Sequence, residues 1–289
     1  MNKKAKKFDY VLAVIFVFLV IITIYPFLNV LAISFNDSTD TIKNVNFIIP
    51  RKFTLSNYKY VFKDGGIAMP AVISVARTII GTIVGIVCTS MVAYTLSRRD
   101  FVLRKPFQLL FVVTMYVGGG MIPEYLLIIR TLKLGNNFMV YILPGLMWVY
   151  NMILVKNYIE GMPAEIFESA KIDGANDLTD FFKMVIPLSK PIIMTIALFV
   201  AITHWNSWFD AYLFTNAQSL KTMQSILVEI LNQYQTSSAN QAANQASQTI
   251  TPDSIRMAAT MIATIPIIMV YPFIQKYFVK GIMLGSVKS

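Results

Sequence analysis

Six long apolar stretches limit what this chain can fold into. They cover approximately residues 10–35, 70–97, 106–129, 138–155, 192–214 and 257–275. An α-helix needs about 20 apolar residues to cross a hydrocarbon core. Inside lipid every backbone polar group has to be bonded within the protein, so such stretches fold as helices. The chain is therefore predicted to be an all-α integral membrane protein, a single domain over 1–289 with six transmembrane helices.

The distribution of Lys and Arg predicts the orientation of these helices. Alternate connecting segments, together with both termini, comprise 66 residues and hold 15 of the basic side chains, whereas the 84 residues between the other stretches hold 9. Basic residues concentrate on the cytoplasmic side of membrane proteins. Both termini are thus expected in the cytoplasm, and the net charge of +10 does not require a nucleic-acid partner. The first stretch is too long for a cleaved signal peptide and is interpreted as a retained anchor.

The sequence contains no pattern for a reaction of its own. It has no phosphate-binding loop of the G-x-x-x-x-G-K-[ST] type, a single histidine and a single cysteine. His204 is interpreted as a core residue and Cys88 as an inert buried thiol. We expect no enzyme activity, no catalytic residues, no metal site and no cofactor on this chain.

One polar segment, 160–191, stands out between the fourth and fifth stretches. Pro163 suits the first turn of a helix, and Gly174 allows a left-handed turn after it. Asn176 or Asp177 can cap a second helix, and prolines 187 and 191 mark the start of the fifth stretch. The pattern predicts two short helices joined by a sharp turn. From composition alone, an ordinary interfacial helix pair is an equally good interpretation.

The spacing within this segment resembles the EAA loop of permease subunits in ABC importers. That loop reads Glu-Ala-Ala, three residues, Gly, nine residues, Ile-x-Leu-Pro. Here the corresponding residues are Glu168-Ser-Ala, Gly174 and Met184-Val-Ile-Pro187. Further runs are similar to the carbohydrate-importing branch: Ile172-Asp-Gly-Ala175, Trp205-Asn-Ser-Trp208, Ile142-Leu-Pro-Gly145 and Gly119-Gly-Met-Ile-Pro123. As a whole the chain resembles the smaller permease of maltose-type importers, in particular those of Gram-positive oligosaccharide systems.

This resemblance implies an assembly and a division of labour. The chain would pair with a second permease subunit in a bacterial cell membrane, above two cytoplasmic ATPase subunits that bind ATP and Mg. An extracellular binding protein would deliver a sugar or oligosaccharide. The surface that couples ATP hydrolysis to transport would consist of Glu168, Ser169, Ala170, Asp173, Gly174 and Ala175. The tail 281–289 would either reach between the ATPase subunits or be a solvated basic end. The Gln/Asn/Ser-rich part 233–248 would be either a flexible surface loop or a contact to the binding protein.

Polar and aromatic residues in the membrane indicate a substrate path. Sugars present apolar C–H faces and hydroxyls, so their sites combine aromatic rings with amide or carboxylate groups. The fifth stretch offers Trp205, Asn206, Trp208 and Asp210. Asn206 and Asp210 would share one helix face, whereas Trp208 could equally belong to an interfacial aromatic belt.

Two further charges and a glycine run bear on this path. Glu124 is also expected to line it. Glu124 and Arg77 could pair with each other, with the partner permease or with substrate. The run from Gly118 to Pro123 should break the third stretch, and broken helices in membranes line cavities.

Two alternatives stay open at this point. The same fold could import another solute, such as amino acids or peptides. A self-contained channel or membrane enzyme would need catalytic clusters or a repeated filter sequence, which the sequence does not contain.

Overall fold

A computed structural model describes residues 3–44, 48–63, 66–172, 174–237 and 251–286. Within these ranges the backbone is helical apart from connecting segments, and the sole strand-like pairing is an isolated antiparallel bridge between Asn36 and Phe53. The prediction of an all-helical chain is confirmed for the described residues.

Fourteen α-helices follow one another in the described parts of the chain. They are α1 (Lys3–Ser34), α2 (Ser38–Lys43), α3 (Ser56–Lys63), α4 (Ala68–Ser97), α5 (Arg104–Tyr116), α6 (Met121–Leu126), α7 (Val149–Glu160), α8 (Ala164–Ile172), α9 (Asp177–Asp180), α10 (Ile186–Leu188), α11 (Lys190–Asn206), α12 (Phe209–Phe214), α13 (Met223–Ser237) and α14 (Pro252–Ser286). Two wider π-helical turns, Leu127–Thr131 and Phe181–Val185, extend α6 and join α9 to α10. Short 3₁₀ turns occupy Phe138–Tyr141, Leu143–Gly145 and Gln218–Leu220.

The first of two compact units comprises Met1–Ala68 and Ile226–Pro266. Its longest element, α1, exposes large apolar side chains on all sides from Phe8 to Leu28. A helix that is apolar all round is typical of a membrane span. The short helices α2 and α3 follow directly after it.

The second unit comprises Met69–Ser225 and Ile267–Ser289 and contains α4 to α12. Helix α4 is straight and long enough to cross a membrane. The remaining spans of this unit are bent. Arg104–Tyr116 meets Met121–Thr131 at 113°, Phe138–Gly145 meets Val149–Glu160 at 50°, and Asp177–Leu188 meets Lys190–Asn206 at 82°.

Two apolar clusters form the core of this second unit. One joins α4, α7, the Phe181–Val185 turn and α11, through side chains such as Leu96, Met152, Phe181 and Ile196. The other joins α4, the Phe138–Tyr141 turn and α12, through side chains such as Ile73, Tyr141 and Phe214. Helix α4 contributes to both clusters and therefore connects the two ends of the unit.

By length and composition the described helices supply the expected number of spans. Three cross alone, Phe8–Ser34, Ala68–Ser97 and Asp253–Pro272, and the three bent pairs raise the total to as many as six. The expected continuous helix over 192–214 is wrong, because α11 ends at Asn206 and Ser207 adopts an extended conformation. Of the part 233–248, only 233–237 is described, as the end of α13, and in the tail 281–289 the last three residues lie outside the described residues.

Candidate functional site

The segment 160–191 forms the predicted helix–turn–helix. Helix α8 begins directly after Pro163, whose carbonyl accepts a hydrogen bond from the Ile166 amide at 3.4 Å. Glu165 lies in the first turn, where a negative charge is favourable towards the helix dipole. The sequence had indicated that Pro163 occupies the first turn of this helix; in the structure it precedes the helix.

The turn after α8 depends on one glycine and one cap. Gly174 has φ +77° and lies exposed, with no atom within 4 Å of the position that a Cβ would take. Left-handed backbone of this kind costs other L-residues about 1–2 kcal/mol. Asn176 then caps α9, because its side-chain oxygen accepts a hydrogen bond from the Thr179 amide at 2.8 Å. Asn176, of the two predicted alternatives, is the cap.

The predicted coupling residues surround this turn. Glu168 and Ser169 are exposed, and Ala175 is half-buried. The Ser169 hydroxyl donates to the Ile166 carbonyl of its own helix at 3.0 Å. Asp173 and the side chain of Ala170 lie outside the described residues.

Behind the exposed face the segment is anchored in the apolar core. The Phe181 ring is buried and lies 5.7 Å from the Tyr94 ring of α4, measured between centroids. Phe167 on α8 packs against the same cluster. The helix pair is therefore bound to α4, α7 and α11 through close-packed side chains, which transmit displacement because protein cores do not deform continuously.

Ion pairs at the rim complete this end of the unit. Arg98, just after α4, bonds both carboxylate oxygens of Asp100, at 3.0 and 2.6 Å, and also contacts Asp177 at the start of α9. The hydrogen bond to Asp100 is the main reason that the pKa of Arg98 is raised above its ordinary value. Glu160 at the end of α7 accepts from Lys156 at 2.9 Å and also contacts Arg104. Arg98, Asp100, Arg104 and Glu160 line a cleft of about 570 Å³, together with Phe167 and Glu168.

A second cavity lies at the opposite end of the unit, where two helices are broken. It encloses about 700 Å³ and is lined by the predicted break Gly118–Gly120, by α6 with Glu124, and by residues 207–214 with Phe209 and Asp210. The break separates α5 from α6, as expected from the glycine run, and Gly120 has φ +81°. Glu124 is exposed and faces this cavity. The two predicted path residues Glu124 and Asp210 are thus brought together.

A buried ion pair supports this cavity from behind. The guanidinium of Arg77 on α4 is 2% exposed and binds Asp210 with both terminal nitrogens, at 3.1 and 2.5 Å. It also donates to the Ser207 carbonyl at 3.4 Å and lies 4.4 Å above the ring of Tyr141. The sequence left open a pair with Glu124, with the partner permease or with substrate; within the described residues Arg77 pairs with Asp210. Arg77 therefore satisfies one of the carbonyls that the break after α11 leaves without a helical partner.

The other predicted path residues are scattered around the break. Trp205 is buried, whereas Asn206 is exposed and donates to the Ile202 carbonyl of its own helix at 3.0 Å. Trp208 is partly exposed and lies beside two other aromatic rings. Between centroids, it is 5.6 Å from the Phe209 ring and 6.2 Å from the Tyr212 ring. The prediction that Asn206 and Asp210 share one helix face is wrong, because the extended Ser207 separates α11 from α12.

Sequence reasoning missed two residues of this region. Tyr141 holds Arg77 by its ring, and its hydroxyl donates to the Leu220 carbonyl at 2.6 Å. His204 is buried, as expected, but it lies directly on α4, where a Cβ at Gly81 would be 2.4 Å from its Nε2 atom. Both contacts, Arg77 with Tyr141 and Gly81 with His204, join residues far apart in the chain. Neither produces a local pattern, so the sequence contained no signal for them.

Comparison with known proteins identifies the family. Residues 3–284 match the binding-protein-dependent transport system inner membrane component family. The chain belongs to this family. It is therefore a multi-pass permease of a bacterial cell membrane, with the all-helical fold of ABC transporter permeases.

Individual relatives agree over almost their whole lengths. The polygalacturonan/rhamnogalacturonan transport system permease protein YtcP of Bacillus subtilis strain 168 is 39% identical over 286 residues, which are 99% of this chain and 100% of that protein. The arabinooligosaccharides transport system permease protein AraQ of Halalkalibacterium halodurans is 27% identical, covering 100% and 99% of the two chains. A chain from the crystal structure of a bacterial ABC transporter involved in the import of the acidic polysaccharide alginate superposes with a TM-score of 0.81 at 30% identity, covering 96% of this permease and 99% of that chain.

Proposed function

We propose that this permease is one of two membrane subunits of an ATP-driven importer that carries a sugar or oligosaccharide into a Gram-positive cell. The observation that carries the proposal is the segment 160–191, whose outer face with Glu168 and Gly174 is exposed while its inner face is packed into the spans. A soluble subunit that grips this face can move the membrane helices.

In this mechanism the energy comes from outside the chain. Two cytoplasmic ATPase subunits bind ATP and Mg and close on each other, and the coupling surface Glu168, Ser169, Ala170, Asp173, Gly174 and Ala175 follows their motion. The apolar cluster around Leu96, Met152 and Phe181 passes the displacement to α4, α7 and α11. The nucleotide state thus favours one of two arrangements of the spans. The permease contributes the path and needs no reaction centre. Both termini are proposed to lie in the cytoplasm, an orientation that would put this loop on the same side as the ATPase.

The cavity between the broken helices is proposed to line the path for the cargo. Its carboxylates Glu124 and Asp210 can accept hydrogen bonds from hydroxyl groups, and Phe209 with the neighbouring Trp208 offers apolar faces. The names of the relatives, which refer to polygalacturonan/rhamnogalacturonan and to arabinooligosaccharides, support a carbohydrate. Trp205 and Asn206 are proposed to stand next to this path.

Replacing Gly174 tests the coupling role. Gly174→Val should leave the fold of this chain intact, since a Cβ there meets no atom of the chain within 4 Å, but should strain the left-handed turn. We expect ATP hydrolysis by the assembled importer to lose its dependence on loaded binding protein, and uptake in proteoliposomes to fall strongly. Gly174→Asn is the matched control, because asparagine tolerates this backbone conformation. Normal uptake by the valine variant would remove the coupling assignment.

A transport assay with the complete importer tests the cargo class. Labelled oligosaccharides, amino acids and peptides are offered to proteoliposomes with the cognate binding protein and internal ATP. Carbohydrate uptake that needs ATP is the expected result. Uptake of peptides or amino acids alone would mean that this importer carries another class of solute. Solute flux through the isolated chain would indicate a channel.

A further inference from the structure

The segment that follows α1 is fixed at the level where that span ends. Phe35 accepts a hydrogen bond from the Thr54 amide at 2.8 Å, and the Asp37 amide donates to the Lys52 carbonyl at 2.9 Å. The Phe35 ring also lies 5.4 Å from the Phe53 ring and 4.8 Å from the Tyr58 ring. Because the apolar span ends at Ser34, these contacts place residues 52–58 beside the surface of the membrane.

A buried polar network makes this segment rigid. The Asn57 amide donates to the carbonyls of Ser34 and Asn36, at 3.0 and 2.9 Å, and accepts from the Ser38 hydroxyl at 2.9 Å. The Asn36 amide in turn donates to Asp40 at 3.2 Å. Asn36, Ser38 and Asn57 are almost fully buried. Satisfied buried networks of this kind specify one conformation.

The outer surface of the same segment is apolar to an unusual degree for a loop. Large side chains are exposed at six positions: Ile42, Ile48, Ile49, Phe53, Leu55 and Phe62. Ile49 is 76% exposed and Phe53 68%. So many large apolar side chains exposed within one short segment indicate a contact with a membrane or with another protein.

The charges on this surface favour a membrane. Five basic side chains are exposed among the apolar ones: Lys43, Arg51, Lys52, Lys59 and Lys63. Of the nearby acids, Asp37 caps α2, and Asp40 accepts from Asn36 and Asn44 and also pairs with Arg51 at 3.6 Å. The surplus of positive charge is therefore carried by the lysines. Apolar side chains with a surplus of lysine are the signature of elements that lie in the headgroup region of anionic bilayers.

We propose that residues 35–44 and 48–63 form an interfacial platform that rests in the lipid headgroup region and binds anionic lipid headgroups. The platform continues the lipid-exposed surface of α1 with apolar side chains such as Phe53 and Leu55, and its lysines reach phosphate groups. It gives the first span a fixed depth in the bilayer.

Spin-label accessibility in the assembled importer tests the platform. In a Cys88→Ser background, which removes the sole cysteine, single labels are placed at Ile49 and Phe53. Val14 on α1 serves as the lipid control, and Gln218 in an exposed turn as the water control. At Ile49 and Phe53 we expect collisions with oxygen to exceed those with a water-soluble nickel chelate. Val14 should show the same preference for oxygen, and Gln218 should show the reverse preference. A preference for nickel would mean a water-exposed loop, and low values for both reagents would mean a protein partner; either result overturns the proposal.

A charge reversal tests the lipid specificity. Reconstitution in phosphatidylglycerol with phosphatidylcholine, compared with phosphatidylcholine alone, should raise the oxygen-to-nickel ratio at Phe53 several-fold. Lys52→Glu with Lys59→Glu should abolish that rise, whereas Lys221→Glu in the turn near Gln218 should not. The milder pair Lys52→Gln and Lys59→Gln serves if the reversed variant fails to assemble. A rise that persists in the variants, or no rise in the parent, would contradict binding to anionic lipid.

Discussion

The two ends of the second unit solve the same problem, a break in a helix, by different means. At the segment 160–191 the bend is held by close-packed apolar side chains, and the ion pairs of Arg98 lie at the rim, where their carboxylates are exposed. At the break after α11 the bend is held by one buried guanidinium that binds Asp210, Ser207 and Tyr141 together. Charges at the rim are dispensable in a way that a buried charge is not, because water screens the first and cannot reach the second. The first end should therefore tolerate the loss of Arg98, and the second end should not tolerate the loss of Arg77.

Removing the buried guanidinium should have the largest effect. Arg77→Ala leaves Asp210 without its partner in a partly enclosed site, a change that costs about 3–5 kcal/mol for buried pairs. Since Asp210 retains 23% exposure, the lower end of this range is expected, with a clear fall in the melting temperature of the purified importer. Arg77→Ala combined with Asp210→Ala should recover part of the loss. An unchanged melting temperature in the single variant would abolish the contrast between the two ends.

The middle of α4, between the two regions, depends on packing alone. Gly81→Ala would place a methyl group 2.4 Å from the His204 ring, and overpacking of this kind costs about 1–3 kcal/mol. Gly85→Ala is the matched control, because its nearest neighbour is 3.6 Å away. Thermal melting of the two variants measures the difference in their stability. Adding His204→Ala to Gly81→Ala should remove the clash and recover part of the lost stability. Equal melting temperatures for the two alanine variants would show that α4 and α11 are less closely packed than described.

The cap of α9 tests local order at the apolar end. Asn176→Ala removes the hydrogen bond to the Thr179 amide, a loss of about 1 kcal/mol. We expect faster amide exchange in residues 177–185, with little change in the melting temperature of the whole importer. Asn176→Ser keeps a capping oxygen and should exchange like the parent. Unchanged exchange in the alanine variant would mean that core packing alone orders the second helix.

The smallest effect is expected for the rim charge. Arg98→Ala removes exposed ion pairs to Asp100 and Asp177, which are worth about 0.2–1 kcal/mol. Arginine keeps its charge over the working pH range, and the hydrogen bond to Asp100 raises the pKa of Arg98 further. The loss of stability should therefore depend on salt concentration and not on deprotonation of Arg98. Melting at low and high salt, with Arg99→Ala as control, measures it. A fall in melting temperature as large as that of Arg77→Ala would contradict the proposed difference between the two ends.

The sequence predicted the apolar end better than the charged end. Gly174 and Asn176 act on their immediate neighbours, so their roles follow from local rules. The pair of Arg77 and Asp210 joins residues 133 positions apart, and no local pattern selects that partner among the other charges. The expectation for Asn206 and Asp210 failed because an apolar window does not reveal a single extended residue such as Ser207. By contrast, three successive glycines were sufficient to locate the break before α6.

The π-helical turn at Phe181–Val185 has a consequence for how the segment 160–191 compares between relatives. Such a turn contains one residue more than an α-helical turn would need, and it arises by insertion of that residue into a regular helix. Deleting it would rotate everything that follows by about 100°, which would move Val185 away from the face it now shares with Phe181. A relative that has lost this residue should therefore align with a one-residue gap inside 181–185, and should carry its apolar positions shifted by one on the far side of the gap.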